Sequence, residues 1–196
     1  MDELPYRKED GVTLIEMRLT TVQQLFNSLD PTPFPEKDLD AEAETYVVSS
    51  VREWPLGTPL KLVFHLPARA IGAGETAGLP DAIHNYFAYR LTAARRDLKF
   101  QMEMGRIAFL IGLAFLVVCV GLRQIIATFG SGVIYDIVAE SLLILGWVAM
   151  WRPIQMFLYD WWPLKRACAI YAKLMTIPVE VRDAQNAPPG ALAPGP

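Results

Sequence analysis

At 196 residues the chain has room for one modest domain plus membrane spans, which excludes two large domains of the usual size, on the order of 100 to 150 residues each. Its 53% hydrophobic content is unevenly spread, and the stretch 107–122 (IAFLIGLAFLVVCVGL) carries no charge. The net charge of −3 hides a split: residues 1–60 hold twelve acidic and five basic side chains, whereas 61–106 hold seven basic and four acidic, and so acidic a start argues against nucleic acid binding.

The N-terminus MDELPYRKED lacks the basic start and apolar stretch of a secretory signal, so the first hundred residues are expected in the cytoplasm. Between Thr13 and Leu19, Ile15, Met17 and Leu19 alternate with Glu16 and Arg18, the period of a half-buried strand. Thr21-x-x-Gln24 has the form of a capping box, and Val22, Leu25, Phe26 and Leu29 share a helical face that Asp30-Pro31 ends. The proline-rich PTPFPEKDLD is a stiff loop, after which Asp40 caps a helix with Ala43, Tyr46, Val47, Val51 and Trp54 on its apolar side. Leu60, Leu62, Phe64 and Leu66 line one side of a second strand, with Lys61, Val63 and His65 on the other. IGAGETAGL follows as a flexible connector.

From Pro80, with Asp81 in the first turn, Ile83, Phe87, Leu91, Ala94 and Leu98 predict a long helix running unbroken into the apolar stretch. Spans over 107–129 and 133–151 each match the roughly 20 residues that a bilayer core requires, with Gly130-Ser131-Gly132 as the turn. Arg90, Arg95, Arg96, Lys99 and Arg106 precede the first span, and Arg152, Lys165, Arg166 and Lys173 follow the second. No basic residue lies between Gln124 and Trp151, so both termini are expected on the cytoplasmic side. Trp147, Trp151, Trp161 and Trp162 gather near one membrane face, where Arg152-Pro153 is expected to break the span. Trp162-Pro163 then starts an interfacial amphipathic helix with Leu164, Ala167, Ile170, Tyr171 and Leu174 on its greasy side. IPVEVR reads as a strand rejoining the sheet, and DAQNAPPGALAPGP as a disordered tail.

The strings LFNSLDPTPF, near the N-terminus, and LLILGWVAMWRPIQMFLYDWWP, late in the chain, resemble those of a family of two-span bacterial membrane proteins to which no activity is attached. The resemblance covers most of the length. It implies the same two-span topology and a place in the bacterial inner membrane, and it contributes no catalytic residue.

Chemical motifs are sparse. The glycines at 72, 74 and 78 miss the G-x-G-x-x-G spacing, and no GK[ST] is present, so IGAGETAG reads as a connector and not a phosphate cradle. His65 and His84 stand without a Cys or second His at ligand spacing and read as structural, while Cys119 and Cys168 read as packing residues. Nucleophile elbows of the G-x-S-x-G type are absent. Neither a catalytic residue, a metal site nor a cofactor is therefore nominated.

In the spans, Arg123, Asp136 and Glu140 approach similar depth across the hairpin, which predicts an ion pair. Asp160 has Arg152 and Arg166 within reach of the elbow. Ala108, Gly112 and Gly146 offer small surfaces for helix packing.

These readings give an α+β fold: a small cytosolic α/β domain with a short mixed sheet on a two-helix transmembrane hairpin, plus the interfacial helix. The segments are 1–79 cytosolic, 80–106 juxtamembrane helix, 107–129 and 133–151 spans, 152–176 elbow and interfacial helix, 177–182 returning strand and 183–196 tail. A non-catalytic accessory or scaffold protein, assembling with itself or with another membrane protein, fits best; a homo-oligomeric ion channel or transporter subunit is the alternative. The bilayer is the expected partner, and nucleic acid is not.

Overall fold

The computed structural model describes residues 6–27, 37–72, 76–129 and 132–186. The chain divides into two units, one of residues 1–92 with 168–196 and one of residues 93–167.

The first unit is built on a mixed sheet in the order β1-β2-β3-β4. Asp10 and Gly11 both take positive φ, 51° and 79°, and this turn folds β1 (Lys8–Glu9) back antiparallel on β2 (Val12–Arg18). The alternation reading found β2 but missed β1, although an Asp-Gly pair is a strong hairpin signal. β2 runs parallel to β3 (Leu60–Leu66), with α1 (Ala41–Arg52) in the connection. β4 (Val179–Asp183) joins the far side of β3, also parallel, pairing Phe64 with Val181. The strand expected to return from the far end of the chain is therefore in the sheet. It extends to Asp183 and is followed by a 3-10 turn at Ala184–Asn186, so residues 183–186 of the expected tail are folded; residues 187–196 lie outside the described ones.

Leu62, Phe64 and Leu66 of β3, with Ile15 and Met17 of β2, face a core that includes Val47 and Val51 of α1. Asp40 caps α1, accepting from the Glu42 N–H at 2.9 Å, and Glu42 and Glu44 lie in its first turn. The capping box at Thr21 is not formed. Val22–Leu25 is a single 3-10 turn whose Thr21 side chain makes no cap bond; Gln24 Oε1 accepts from the Thr20 N–H, and Phe26 leaves the helical path to bridge Leu39. Leu29 and the proline-rich loop at 31–36 lie outside the described residues. The connector read at 71–79 starts within a short helix α2 (Ala68–Gly72), with residues 73–75, Gly74 among them, outside the described residues.

α3 (Leu79–Phe129) is one helix of 51 residues, about 75 Å long at 1.5 Å per residue. The expected juxtamembrane helix and first span are thus continuous. Its first turns, with Leu79, Ile83, Phe87 and Leu91 buried, belong to the first unit.

In the second unit α4 (Val133–Gln155) passes straight through Pro153, so the break expected at Arg152-Pro153 does not occur. A π-helical turn at Met156–Asp160 leads directly into α5 (Trp161–Leu174). Pro163 has no N–H for the Tyr159 carbonyl, which accepts instead from the Trp161 backbone N–H at the end of the π turn. Ile170 and Leu174 of α5 are buried in the core of the first unit, so the C-terminal half of its greasy side is covered by protein, whereas Leu164 and Ala167 are only partly buried. Gly130 and Ser131 of the expected turn lie outside the described residues.

Both α3 and the α4–α5 helix are long and apolar enough to cross a membrane, and only 17% and 11% of their most apolar windows are buried. A core helix of a soluble protein buries most of such a window; these expose theirs.

Candidate functional site

Buried positions on α3 within the second unit recur every seventh residue: Gly105, Gly112 and Cys119. On the partner helix Gly146 and Pro153 keep the same interval. This period keeps one seam of each helix turned to the other. A Cβ on Gly112 would stand 3.0 Å from the Ala149 carbonyl oxygen, which is the acceptor that Pro153, lacking an N–H, cannot serve. A Cβ on Gly146 would come 2.7 Å from Leu116 Cδ1 and 3.4 Å from Cys119 Cβ. A Cβ on Gly105 would stand 3.6 Å from the Phe157 ring. Ala108 is only partly buried. Gly105 was passed over in the sequence, where the heptad of small residues from 105 to 119 is the signal that marks it.

The ion pair expected in the hairpin is not formed. Among the described residues no salt bridge joins Arg123 to Asp136 or Glu140, and all three side chains are exposed. The helical period explains it. Arg123 falls within about 20° of the Gly112 direction, but Glu140 lies about 120° round its helix from Gly146 and so points away from the seam.

The aromatic end is asymmetric. Met156 is buried and Phe157 meets Phe109 edge-on at 6.3 Å, so these two residues of the π turn face α3. Leu158 and Tyr159 turn outward. Trp161 Nε1 donates to the Phe157 carbonyl at 2.7 Å, its ring packs edge-on against Trp162, and Lys165 Nζ lies 5.2 Å from its centroid. Trp147, Trp151 and Trp162 are exposed, as is Arg152, while Asp160 is half-buried in the π turn. The four tryptophans thus divide: one is held by the helix end, and three present rings to the surroundings.

The first unit carries three polar groupings. On the face of the sheet away from the core, Lys61 pairs with Glu180, Glu180 with Arg182, Arg182 bidentately with Glu9, and Glu9 with Arg7. The Arg182 guanidinium, with Arg7, holds the Glu9 carboxyl down to about 2; Arg182 and Lys61 do the same to Glu180. On this same face Val63 and His65 are fully buried, and His65 Nε2 lies 3.0 Å from Glu16 Oε1 with Nδ1 unpartnered.

The second grouping centres on Glu44, which meets Arg90 at 2.6 Å and accepts from the Tyr86 hydroxyl at 2.8 Å and the Tyr171 hydroxyl at 3.4 Å. Burial and the Glu44 carboxylate push the Tyr86 phenol above its ordinary range. Third, His84 Nε2 lies 2.8 Å from the Ile177 carbonyl, and Lys173 donates to the Leu56 and Thr58 carbonyls; burial lowers its ammonium pKa. The Glu44 bonds tie α1, α3 and α5 to one another, and the His84 and Lys173 bonds tie α3 and α5 to the loops that precede β4 and β3. No group of three or more metal-ligating side chains converges among the described residues.

Compared with known protein families, curated proteins and solved structures, the chain matches none of them. The two helices with exposed apolar flanks and the aromatic end of the second are accordingly the features on which a function can be argued.

Proposed function

We propose that this protein is a non-catalytic, membrane-anchored accessory or scaffold subunit of the bacterial inner membrane, its hairpin crossing the bilayer and both termini cytoplasmic. One observation carries the reading: Ile111 and Val117 of α3 and Ile134 and Val148 of α4 are 65%, 63%, 77% and 64% exposed, an uncovered aliphatic surface far beyond what a soluble monomer shows. Orientation follows from the basic residues that flank the two apolar helices at one end only. Two spans enclose too little space for a solute path, so the anchor works by assembly with another chain.

A second reading, a homo-oligomeric ion channel, is favoured by Arg123, Asp136 and Glu140, exposed side chains in helices of membrane-spanning length. Native mass spectrometry of the full chain, extracted gently from its own membranes, separates the two. A second protein in fixed ratio is the expected result. Homo-oligomers alone, together with ion flux in liposomes, would replace the accessory reading by the channel. Release of the chain by an alkaline wash would remove the membrane reading altogether.

A further inference from the structure

Along the outer side of the π turn and the start of α5 runs a groove of about 570 Å³ lined by Leu158, Tyr159, Trp162, Pro163 and Arg166. With Met156 and Phe157 turned to α3, Leu158 and Tyr159 are left side by side on the face that carries Trp162, Pro163 and, one turn further, Arg166. The walls are hydrocarbon and aromatic ring: Tyr159 and Trp162, which are 69% and 68% exposed, line the groove with Leu158 and Pro163. The polar side-chain groups among the lining residues are the Tyr159 hydroxyl, the Trp162 indole N–H and the Arg166 guanidinium. Around the groove basic residues outnumber acidic ones. Residues 152–166 hold Arg152, Lys165 and Arg166 against the single acid Asp160.

An apolar trough ending at a guanidinium, in a basic stretch rimmed by tryptophan, is complementary to an amphiphile with an acidic head. We infer that this groove seats one anionic phospholipid, with an acyl chain laid on Leu158 and Pro163 between the Tyr159 and Trp162 rings and the phosphate at Arg166. The inference rests on the membrane reading above and adds to it a defined lipid site. A zwitterionic lipid offers the same chain but cancels the attraction at its head, so the groove selects by charge. A bound lipid would cover the apolar flank at the helix end where Trp162 and Tyr159 now stand open.

The test is native mass spectrometry of the full chain in detergent micelles supplied with phosphatidylglycerol or with phosphatidylcholine. The wild-type protein is expected to retain one phosphatidylglycerol per chain in preference to phosphatidylcholine. Arg166→Gln, at an exposed position, is expected to lower that preference about fivefold, the effect of one basic side chain near an anionic surface. Trp162→Ala is expected to weaken retention of both lipids. Equal retention of the two lipids by the wild-type chain, or an unchanged preference in Arg166→Gln, would overturn the site. Displacement of the lipid by inorganic phosphate would also overturn it, since the groove would then be an anion site without use for the chain. Failure of the membrane reading is read separately: a chain washed from membranes by alkaline carbonate loses both proposals, whereas one that stays in the bilayer and binds the two lipids alike loses only the groove.

Discussion

His65 sits at the centre of the sheet with no exposed surface, and Glu16 beside it is 8% exposed. Replacing His65 by phenylalanine keeps a ring in the space but leaves a buried carboxylate without its partner, an expected loss of about 1–3 kcal/mol. Adding Glu16→Leu to the same chain removes the stranded group and is expected to return part of that loss. Denaturant unfolding in detergent of His65→Phe, of Glu16→Leu alone and of the double variant measures the coupling, and strictly additive effects would show that the pair contributes nothing. The strand pattern put both residues on the same type of face. That they pair was not legible, because Glu16 is 49 residues away from His65 and reaches it diagonally across a parallel pairing that no local period encodes.

At the scale of elements, the two glycines of the seam make opposite demands. Alanine at either position gains helix propensity of up to about 1 kcal/mol. At Gly146 the new methyl meets the movable end of the Leu116 side chain, whereas at Gly112 it meets the backbone carbonyl of Ala149. Gly112→Ala is therefore expected to lower hairpin stability by about 1–3 kcal/mol, and Gly146→Ala to be tolerated better. Thermal unfolding in detergent ranks the two, and the reverse order would mean that the helices meet along another seam.

Elements with strong periods were readable: strands β2 and β3, capped α1 and the long α3. The break at Pro153 was misread because a proline cannot by itself say whether its helix ends or continues. Here the helix continues through Pro153 to Gln155, and the Met156 N–H bonds back to the Arg152 and Pro153 carbonyls. The amphipathic pattern of α5 was legible too, but a greasy face looks the same whether lipid or protein covers it.

Across the whole first unit, the chain of charges from Lys61 through Glu180, Arg182 and Glu9 to Arg7 joins β1 to β4, the two edges of the sheet. Both carboxyls titrate near 2 when folded, against about 4.5 when free. A depressed folded value means that the stabilisation is complete above about pH 4.5 and drains away as pH falls toward 2. Arg182→Gln is expected to lower stability at neutral pH and to flatten this acid limb. Unfolding midpoints at neutral pH and at about pH 3 would test it; wild-type and variant curves that fall in parallel would place the acid sensitivity elsewhere.

What the sequence determined alone is what depends on near neighbours: two helices long and apolar enough to span a bilayer, the alternation of the strands, the Asp40 cap, and the basic residues clustered at one end of the apolar stretches. Tertiary structure decided what depends on distant partners. It placed β4 beside β3, turned Ile170 and Leu174 into the core, and left Arg123 and Glu140 unjoined. A helix repeats every 3.6 residues and a strand every two, so local order can be read from the chain itself. Which face meets which depends on contacts between segments up to 173 residues apart, as for Glu9 and Arg182, and no local pattern records them.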